Sequence, residues 1–247
     1  MATYQHDTIV PFKDSSESKK KQVEKMFDKI AFRYDFLNHF LSAGIDTGWR
    51  KKAIKQLSSL DPKSILDVAT GTGDMAIIAA RLLNAKKIIG IDISDGMLEI
   101  GKKKIERLGL QHHIELLKGD SETITFNSNS FDAVTVAFGV RNFQDLEKGL
   151  LEMKRVLKPG GKLIVLECTN PKLPVIKNFY NFYLKVITPW IGRMISKNND
   201  AYQYLNESVQ KFPEGKDFVQ ILNKLGYKSA SCKTLSLGIS NIYSGEK

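Results

Sequence analysis

The chain of 247 residues has almost no cysteine, only Cys168 and Cys232. Two thiols cannot build a disulfide framework or a four-ligand metal cage, so neither staple is available to the fold. Histidine is nearly as scarce, at four residues. His112 and His113 are adjacent and cannot both face one ion from a helix or a strand, and His6 and His39 have no partner at ligand spacing, so no metal site is expected. No uninterrupted apolar run approaches the ~18 residues that a membrane-spanning helix needs. The first 13 residues carry no apolar segment of the secretory type. Few thiols and no export signal together point to a reducing cytoplasm. What is present is ordinary for a globular protein: 42% hydrophobic and 26% charged residues, enough for one packed core and one domain, and unlike a disordered chain.

Acidic residues are also in deficit, 27 against 37 basic, which gives a formal net charge of +10. The excess is not uniform. Residues 1–60 hold 11 basic and 7 acidic groups, 61–170 hold 15 of each, and 171–247 hold 11 and 5. A neutral centre with basic flanks is not the continuous basic stripe of a protein that tracks a phosphate backbone, so no nucleic acid partner is expected. An anionic membrane surface would attract such flanks, at about 1 kcal/mol for each well-placed Lys or Arg. The plainer reading is solubility, and Lys19-Lys20-Lys21 and Lys102-Lys103-Lys104 read as solvated helix faces.

Along the chain, 15–30 has a helical spacing that puts Val23, Met26, Phe27 and Ile30 on one face, and 34–41 and 49–60 read as two further helices closed by Pro62. From residue 64 the pattern changes. Short β-branched runs at 65–68, 87–91, 114–117, 131–136 and 162–166 alternate with helical periods at 75–83, 97–108 and 146–156. Short connections between near-continuous apolar strands predict an α/β fold, a parallel sheet covered on both faces, with its functional site at the C-terminal strand ends where the strand order reverses. The alternation stops across 168–215. There Ile176, Phe179, Tyr183, Val186, Trp190 and Met194 keep a helical spacing, which fits a helix packed on the sheet or a lid over an apolar substrate. A helix and two strand-like runs then complete the chain. The expected organisation is a single domain over 1–247, divided into a helical cap (1–62), a binding core (63–167), a helical insertion (168–215) and a closing helix with strands (216–247).

The segment Leu66-Asp67-Val68-Ala69-Thr70-Gly71-Thr72-Gly73-Asp74 leaves the first strand and opens a helix. Glycines there let the backbone turn tightly and touch a ligand that a Cβ would exclude. Gly71-x-Gly73-x-x-Ala76 also fits a dinucleotide fingerprint, with Asp92 standing 19 residues after Gly73 as a ribose-binding acid. Three features favour S-adenosylmethionine instead. Asp67 precedes the turn, where a carboxylate orients an ammonium and gives a pyrophosphate nothing. Gly119-Asp120-Ser121 after the third strand puts a polar pair where an adenine amino group would donate, with Phe126 nearby for its apolar face. Leu157-Lys158-Pro159-Gly160-Gly161 before the fifth strand resembles the class I methyltransferase pattern, as do Asp67-x-x-x-Gly71-x-Gly73 and Asp92. Ser94 and Asp95 already serve as cap for the next helix, which frees Asp92 for the ligand.

The resemblance extends beyond that core. Tyr34-Asp35-x-x-Asn38-x-x-x-Ser42-x-Gly44-x-x-x-x-Trp49-Arg50 resembles the N-terminal signature of the ubiquinone/menaquinone biosynthesis C-methyltransferases. So do Phe138-Gly139-Val140-Arg141-Asn142, Arg155-Val156-Leu157-Lys158-Pro159-Gly160-Gly161 with Glu167 behind it, and Asp200-Ala201-Tyr202-Gln203-Tyr204-Leu205-x-x-Ser208. Thr169 stands where Ser is usual, and Ala137 where some members carry a Ser that helps hold the cofactor. The resemblance implies a Rossmann-like, mostly parallel sheet of seven strands with an antiparallel last strand. It implies S-adenosylmethionine held at Thr72, Asp92, Asp120 and Ser121, beside Asp67, Gly71 and Gly73 of the turn.

It also implies a prenylated quinol as the methyl acceptor, either a demethylmenaquinol or a benzoquinol precursor of ubiquinone. Methylating a quinol carbon requires a hydroxyl to become phenolate and push electron density onto the adjacent carbon. A guanidinium within ~4 to 6 Å can lower a phenol's pKa of ~10 by roughly 1 to 3 units, and Arg141 is the candidate. Asn142 would orient the second ring oxygen or a bridging water, and Tyr34, Tyr202 and Tyr204 would line the pocket. An isoprenoid tail would make work at the inner membrane face useful, since each buried methylene is worth ~0.8 kcal/mol. Cys168 reads as a core cysteine, not a nucleophile. The rival readings are a methyltransferase for RNA or another small molecule, a nicotinamide oxidoreductase, and a non-catalytic cofactor sensor; a homodimer is one option for the assembly.

Overall fold

The computed structural model describes residues 4–41, 44–171 and 200–247, with the backbone alone at 33–41 and 200–202. The insertion helix expected from Ile176 to Met194 lies outside the described residues. Seven strands form one sheet: β1 (Ser64–Val68), β2 (Lys87–Asp92), β3 (Ile114–Lys118), β4 (Phe131–Ala137), β5 (Leu157–Cys168), β6 (Lys228–Leu235) and β7 (Ser240–Glu246). Their spatial order is β3-β2-β1-β4-β5-β7-β6. The first five pair in parallel, while β7 runs antiparallel to both β5 and β6. The expected fold class therefore holds. The antiparallel strand follows from its connection, because β6 and β7 are joined by the single 3-10 turn Ser236–Gly238, too short for a parallel crossover.

Alternation along each strand builds two cores. Leu66, Val68, Ile89, Ile91, Val134, Val136 and Val165 face helices α5 (Leu146–Val156) and α7 (Lys216–Lys224) through Leu150, Met153, Phe218 and Leu222. Ile65, Ile88, Ala133, Ile164 and Leu166 face the other way, onto α2 (Ile45–Lys55), α3 (Asp74–Leu82) and α4 (Asp95–Arg107) through Trp49, Ile54, Ala76, Leu98 and Ile105. Period-two strands with both faces apolar need cover on both sides, and each such side chain removed from water is worth roughly 1.5–3 kcal/mol.

The cap differs from expectation. Helices expected at 15–30 and 34–41 are one helix, α1 (Lys19–Leu41), because Ala31-Phe32-Arg33 contains no breaker and the backbone continues. The helix expected at 49–60 begins earlier, after Gly44 in the left-handed region (φ +75), and closes after Lys55 in i→i−3 bonds such as Leu57 N to Ile54 O (2.9 Å). A further helix, α6 (Asp200–Lys211), lies in the final part of the expected insertion. Among the described residues no helix is long and apolar enough to cross a membrane.

Gly90 on β2 marks the closest approach of sheet and turn. A Cβ there would lie 2.5 Å from Leu116 Cδ2 and 2.7 Å from Thr70 Oγ1. Gly90→Ala is expected to lower stability by about 1–3 kcal/mol, read as a lower urea midpoint at unchanged slope. A wild-type midpoint would show that the sheet relaxes to admit the methyl.

Candidate cofactor and acceptor site

The order β2-β1-β4-β5 reverses the direction of winding between β1 and β4, and the crevice lies above their C-terminal ends. Both strands leave the sheet through left-handed corners at non-glycine residues, Ala69 (φ +51) after β1 and Phe138 (φ +59) after β4. Each such corner costs of order 1 kcal/mol. The corners abut, since a Cβ at Gly139 would meet Ala69 Cβ at 2.7 Å. Gly71 (φ +57) and Gly73 (φ +82) continue the first turn into α3. Nothing lies within 4 Å of where a Gly71 Cβ would stand, so the backbone there faces open space.

Two connected hollows flank this turn and share Ala69, Gly71 and Ala137. The larger spans about 650 Å³ including its solvent mouth. Its polar wall is Asp92, Asp120 and Ser121, and its apolar wall includes Val23, Phe27, Ile93, Met97 and Phe143. The smaller, about 340 Å³, lies among Arg50, Asp67, Thr72 and Asp74. The structure thus brings Asp67, Gly71, Thr72, Asp92, Asp120 and Ser121 together, with Gly73 behind them as the N-cap of α3. Phe126 is a correction: it packs edge-on against Phe131 (centroids 5.2 Å apart) at the core, because the chain after Ser121 folds back over the sheet, and Ile93 and Met97 supply the apolar wall.

Asp67 is 1% exposed and accepts from Thr70 Oγ1 (2.5 Å) and from Thr135 Oγ1 on β4 (2.7 Å). Burial pushes its carboxyl up to about 6, against the pull of both hydroxyls and Arg50. Asp92 accepts from Gly71 N (2.8 Å) and Ser94 N (2.9 Å), and burial raises its carboxyl too. Ser94 caps α4 through Met97 N, so Asp92 is free of that duty. Burial would also raise Asp120, but Lys20 Nζ at 2.7 Å reverses the effect and holds its carboxyl below the usual range.

Lys19 and Lys20 overturn the expected solvated face. Lys20 bridges Asp120 and Glu122 (3.0 Å) at the rim of the larger hollow. Lys19 is 5% exposed, its Nζ donating to the carbonyls of His6 (2.7 Å) and Arg141 (3.4 Å), and burial lowers its pKa to about 8. Lys104 likewise turns inward, to Thr72 Oγ1 (3.1 Å) and Asp74 Oδ1 (2.8 Å). A run of lysines carries no signal of which one folds inward, since the long stem lets any of them reach a buried acceptor.

The second corner delivers Arg141 and Asn142 on the 3-10 turn Val140–Asn142. Arg141 is buried; its Nη1 donates to Phe138 O (2.9 Å) and pairs with Oε1 of Glu167 at the end of β5. Asn142 lines the larger hollow, donates to Phe138 O (3.3 Å) and accepts from the Tyr204 hydroxyl (3.1 Å). Tyr204, on α6, is 2% exposed and packs with Val23 and Met26, and burial raises its pKa well above the ordinary phenol value. Tyr34 lies on α1 and Tyr202 on α6, their side chains outside the described residues.

A family model described as the ubiE/COQ5 methyltransferase family matches residues 15–247. The chain belongs to that family. A demethylmenaquinone methyltransferase of Bacteroides fragilis is 44% identical over 244 residues, 99% of each chain. A ubiquinone/menaquinone biosynthesis C-methyltransferase UbiE of Geotalea daltonii is 44% identical over 230 residues, covering 93% of this chain and 97% of that one. Among solved structures, a SAM-dependent methyltransferase of Thermotoga maritima shares the fold with a TM-score of 0.64 and 19% identity, over 91% of this chain and 99% of its own. The [4+2]-cyclase SpnF shares it with a TM-score of 0.62 and 17% identity, over 92% and 96%.

The electrostatics of this family member's turn select among ligands. Asp67, Asp74 and Asp92 ring it, so a pyrophosphate laid against Gly71 would meet carboxylates where a dinucleotide site offers bare amides. A cationic ligand finds them complementary. An unfolded aspartate releases its proton near 3.8, but Asp67 in the fold holds it to about 6. Between those values the folded state binds the extra proton, so the Asp67 contribution to stability falls as pH rises through that window. Asp67→Asn is therefore expected to gain on wild type by roughly 3 kcal/mol between pH 4 and 7, measured by urea unfolding at each pH. A pH-independent difference would show that Asp67 is ionised throughout.

Proposed function

We propose that the chain methylates a ring carbon of a prenylated quinol with S-adenosylmethionine, with demethylmenaquinol as the acceptor. The hollows suit the cofactor: Gly71 leaves its surface bare, Asp67 offers a buried carboxylate to an ammonium, Asp92 faces the larger hollow for ribose hydroxyls, and Asp120 with Ser121 stands at its far wall for an adenine edge. When bound, the cofactor supplies an electrophilic methyl carried on a positively charged sulfur.

The observation that carries the acceptor side is the corner after β4, where buried Arg141 and cleft-lining Asn142 are adjacent and close to Ala137, one of the residues common to both hollows. Arg141 stabilises the acceptor's phenolate and cannot itself take the proton, since a guanidinium stays charged at any working pH. The hydroxyl proton leaves to water held beside it. Electron density moves to the adjacent ring carbon, which gains the methyl, and the displaced ring proton leaves while the hydroxyl is restored. Asn142, fixed by Tyr204 and Phe138, orients the second ring oxygen. The resemblance alone assigns Tyr34 and Tyr202 to the acceptor side.

Arg141→Lys is expected to lower kcat about 100-fold while calorimetric affinity for S-adenosylmethionine stays unchanged. Wild-type turnover in that variant removes Arg141 from the reaction. Product is read by mass spectrometry as the reduced naphthoquinol plus one methyl, and a benzoquinol precursor run in parallel tests the substrate of the relatives named for both quinones.

The basic flanks fit transient contact with an anionic membrane that holds the isoprenoid substrate. The protein is expected to co-sediment with anionic vesicles at low salt and to detach as salt rises. Equal partitioning onto neutral vesicles counts against the electrostatic contact.

A further inference from the structure

We propose that Glu167 is a positioning residue that also sets how acidic Arg141 makes the acceptor hydroxyl, holding the guanidinium in place while offsetting part of its charge. The proposal rests on the reading of Arg141 given above.

Glu167 stands at the end of β5, the neighbour of β4, and is fully buried. Its Oε1 takes both the Arg141 Nη1 and the Cys168 amide (2.9 Å), while its Oε2 has no hydrogen-bond partner among the described residues. A strut that served only to fix the arginine would be expected to use both oxygens in a fork, which is the geometry guanidinium and carboxylate favour. Here the second oxygen is left without a hydrogen bond among the described residues, beside the guanidinium. Phe138 O already fixes the Nη1 direction, and Lys19 Nζ reaches the Arg141 carbonyl from α1, so Arg141 is held by its backbone and by a neutral acceptor as well as by Glu167.

Among the described residues, the other titratable groups near this pair are these. Burial pushes the Cys168 thiol up to about 12 and keeps the Tyr204 hydroxyl protonated, so both are neutral. From α2, Arg50 pairs with Asp46 and the two largely cancel. The Lys19 ammonium faces Asp7 and Glu122 as well as Arg141. Burial raises the Glu167 carboxyl, and the Arg141 guanidinium opposes that rise. The Arg141–Glu167 pair is therefore a buried charge pair at this corner whose balance a change at Glu167 alters. With Glu167 charged, the pair offers the hydroxyl a damped positive potential; with Glu167 neutral, the full guanidinium charge would act.

A structural strut and a charge-setting one make opposite predictions for ionisation. The probe is 1-naphthol, whose ultraviolet spectrum reports its ionisation without turnover, bound in the presence of S-adenosylhomocysteine. In Glu167→Gln the pH at which bound 1-naphthol ionises is expected to fall by about one unit below wild type, while kcat for the quinol falls because the arginine is less firmly held. Glu167→Asp, which keeps the carboxylate but draws it back by one methylene, is expected to move the ionisation down by a smaller step, and it decides the matter alone if Glu167→Gln does not fold. An unmoved or raised ionisation in the variant that folds overturns the proposal. Arg141→Met separates the two layers. If it leaves the ionisation of bound 1-naphthol as in wild type, the reading of Arg141 itself fails; if it raises that ionisation while the Glu167 variants leave it unmoved, only the role of Glu167 fails.

Discussion

The carboxylate of Asp67 is the point on which the cleft depends. Buried between β1 and β4, it ties the glycine turn to the neighbouring strand through Thr70 and Thr135. Hydrogen bonds to an ionised group are worth roughly 1.5–3 kcal/mol each, enough to hold a backbone that turns left-handed at Ala69, Gly71 and Gly73 within five residues. The same carboxylate resists being charged in that setting, which is why burial raises its pKa despite two hydroxyl donors. A cation arriving in the smaller hollow relieves this tension. One side chain thus fixes the turn and leaves a need that a positively charged ligand meets.

Acidic groups line both hollows, and the buried guanidinium of Arg141 lies behind cleft-lining Asn142 at the β4 corner. A sulfonium and a phenolate need opposite environments within bonding reach of one another. The abutting corners at Ala69 and Phe138 follow from the direct pairing of β1 with β4, and a Gly139 Cβ would collide with Ala69 there.

Most of this frame was legible in the residues. The strand alternation specified the parallel sheet, and the Asp67-to-Gly73 spacing specified the turn, because both are local patterns with one low-energy outcome. The helical cap was less so. Continuity of α1 through Ala31-Phe32-Arg33 is permitted, not dictated, by propensity, and the inward turn of Lys19, Lys20 and Lys104 depends on acceptors supplied from distant parts of the chain. Phe126 failed for a related reason: it lies near Asp120 in sequence, but the chain between them doubles back, and the apolar wall comes from Ile93 and Met97 after β2. Glu167 could be noticed as a buried acid at a strand end, yet nothing local showed that its partner would be Arg141.

The sheet does not choose the reaction, since a structure sharing this fold is a cyclase. What distinguishes this chain is added around the sheet. The 3-10 turn after β4 is held from below by Glu167 on β5, from one side by Lys19 at the start of α1, and from another by Tyr204 on α6. Three elements far apart in sequence therefore converge on Arg141 and Asn142. The convergence also recruits the N-terminal turn Gln5–Thr8, through the His6 carbonyl on Lys19 and the His6 ring set edge-on against Phe212 at 5.1 Å. Burial lowers that imidazole's pKa to about 3, so it stays neutral and adds packing without charge beside the Arg141–Glu167 pair. The turn after β1 is left open to the cofactor, while the corner after β4 is gripped by α1, β5 and α6.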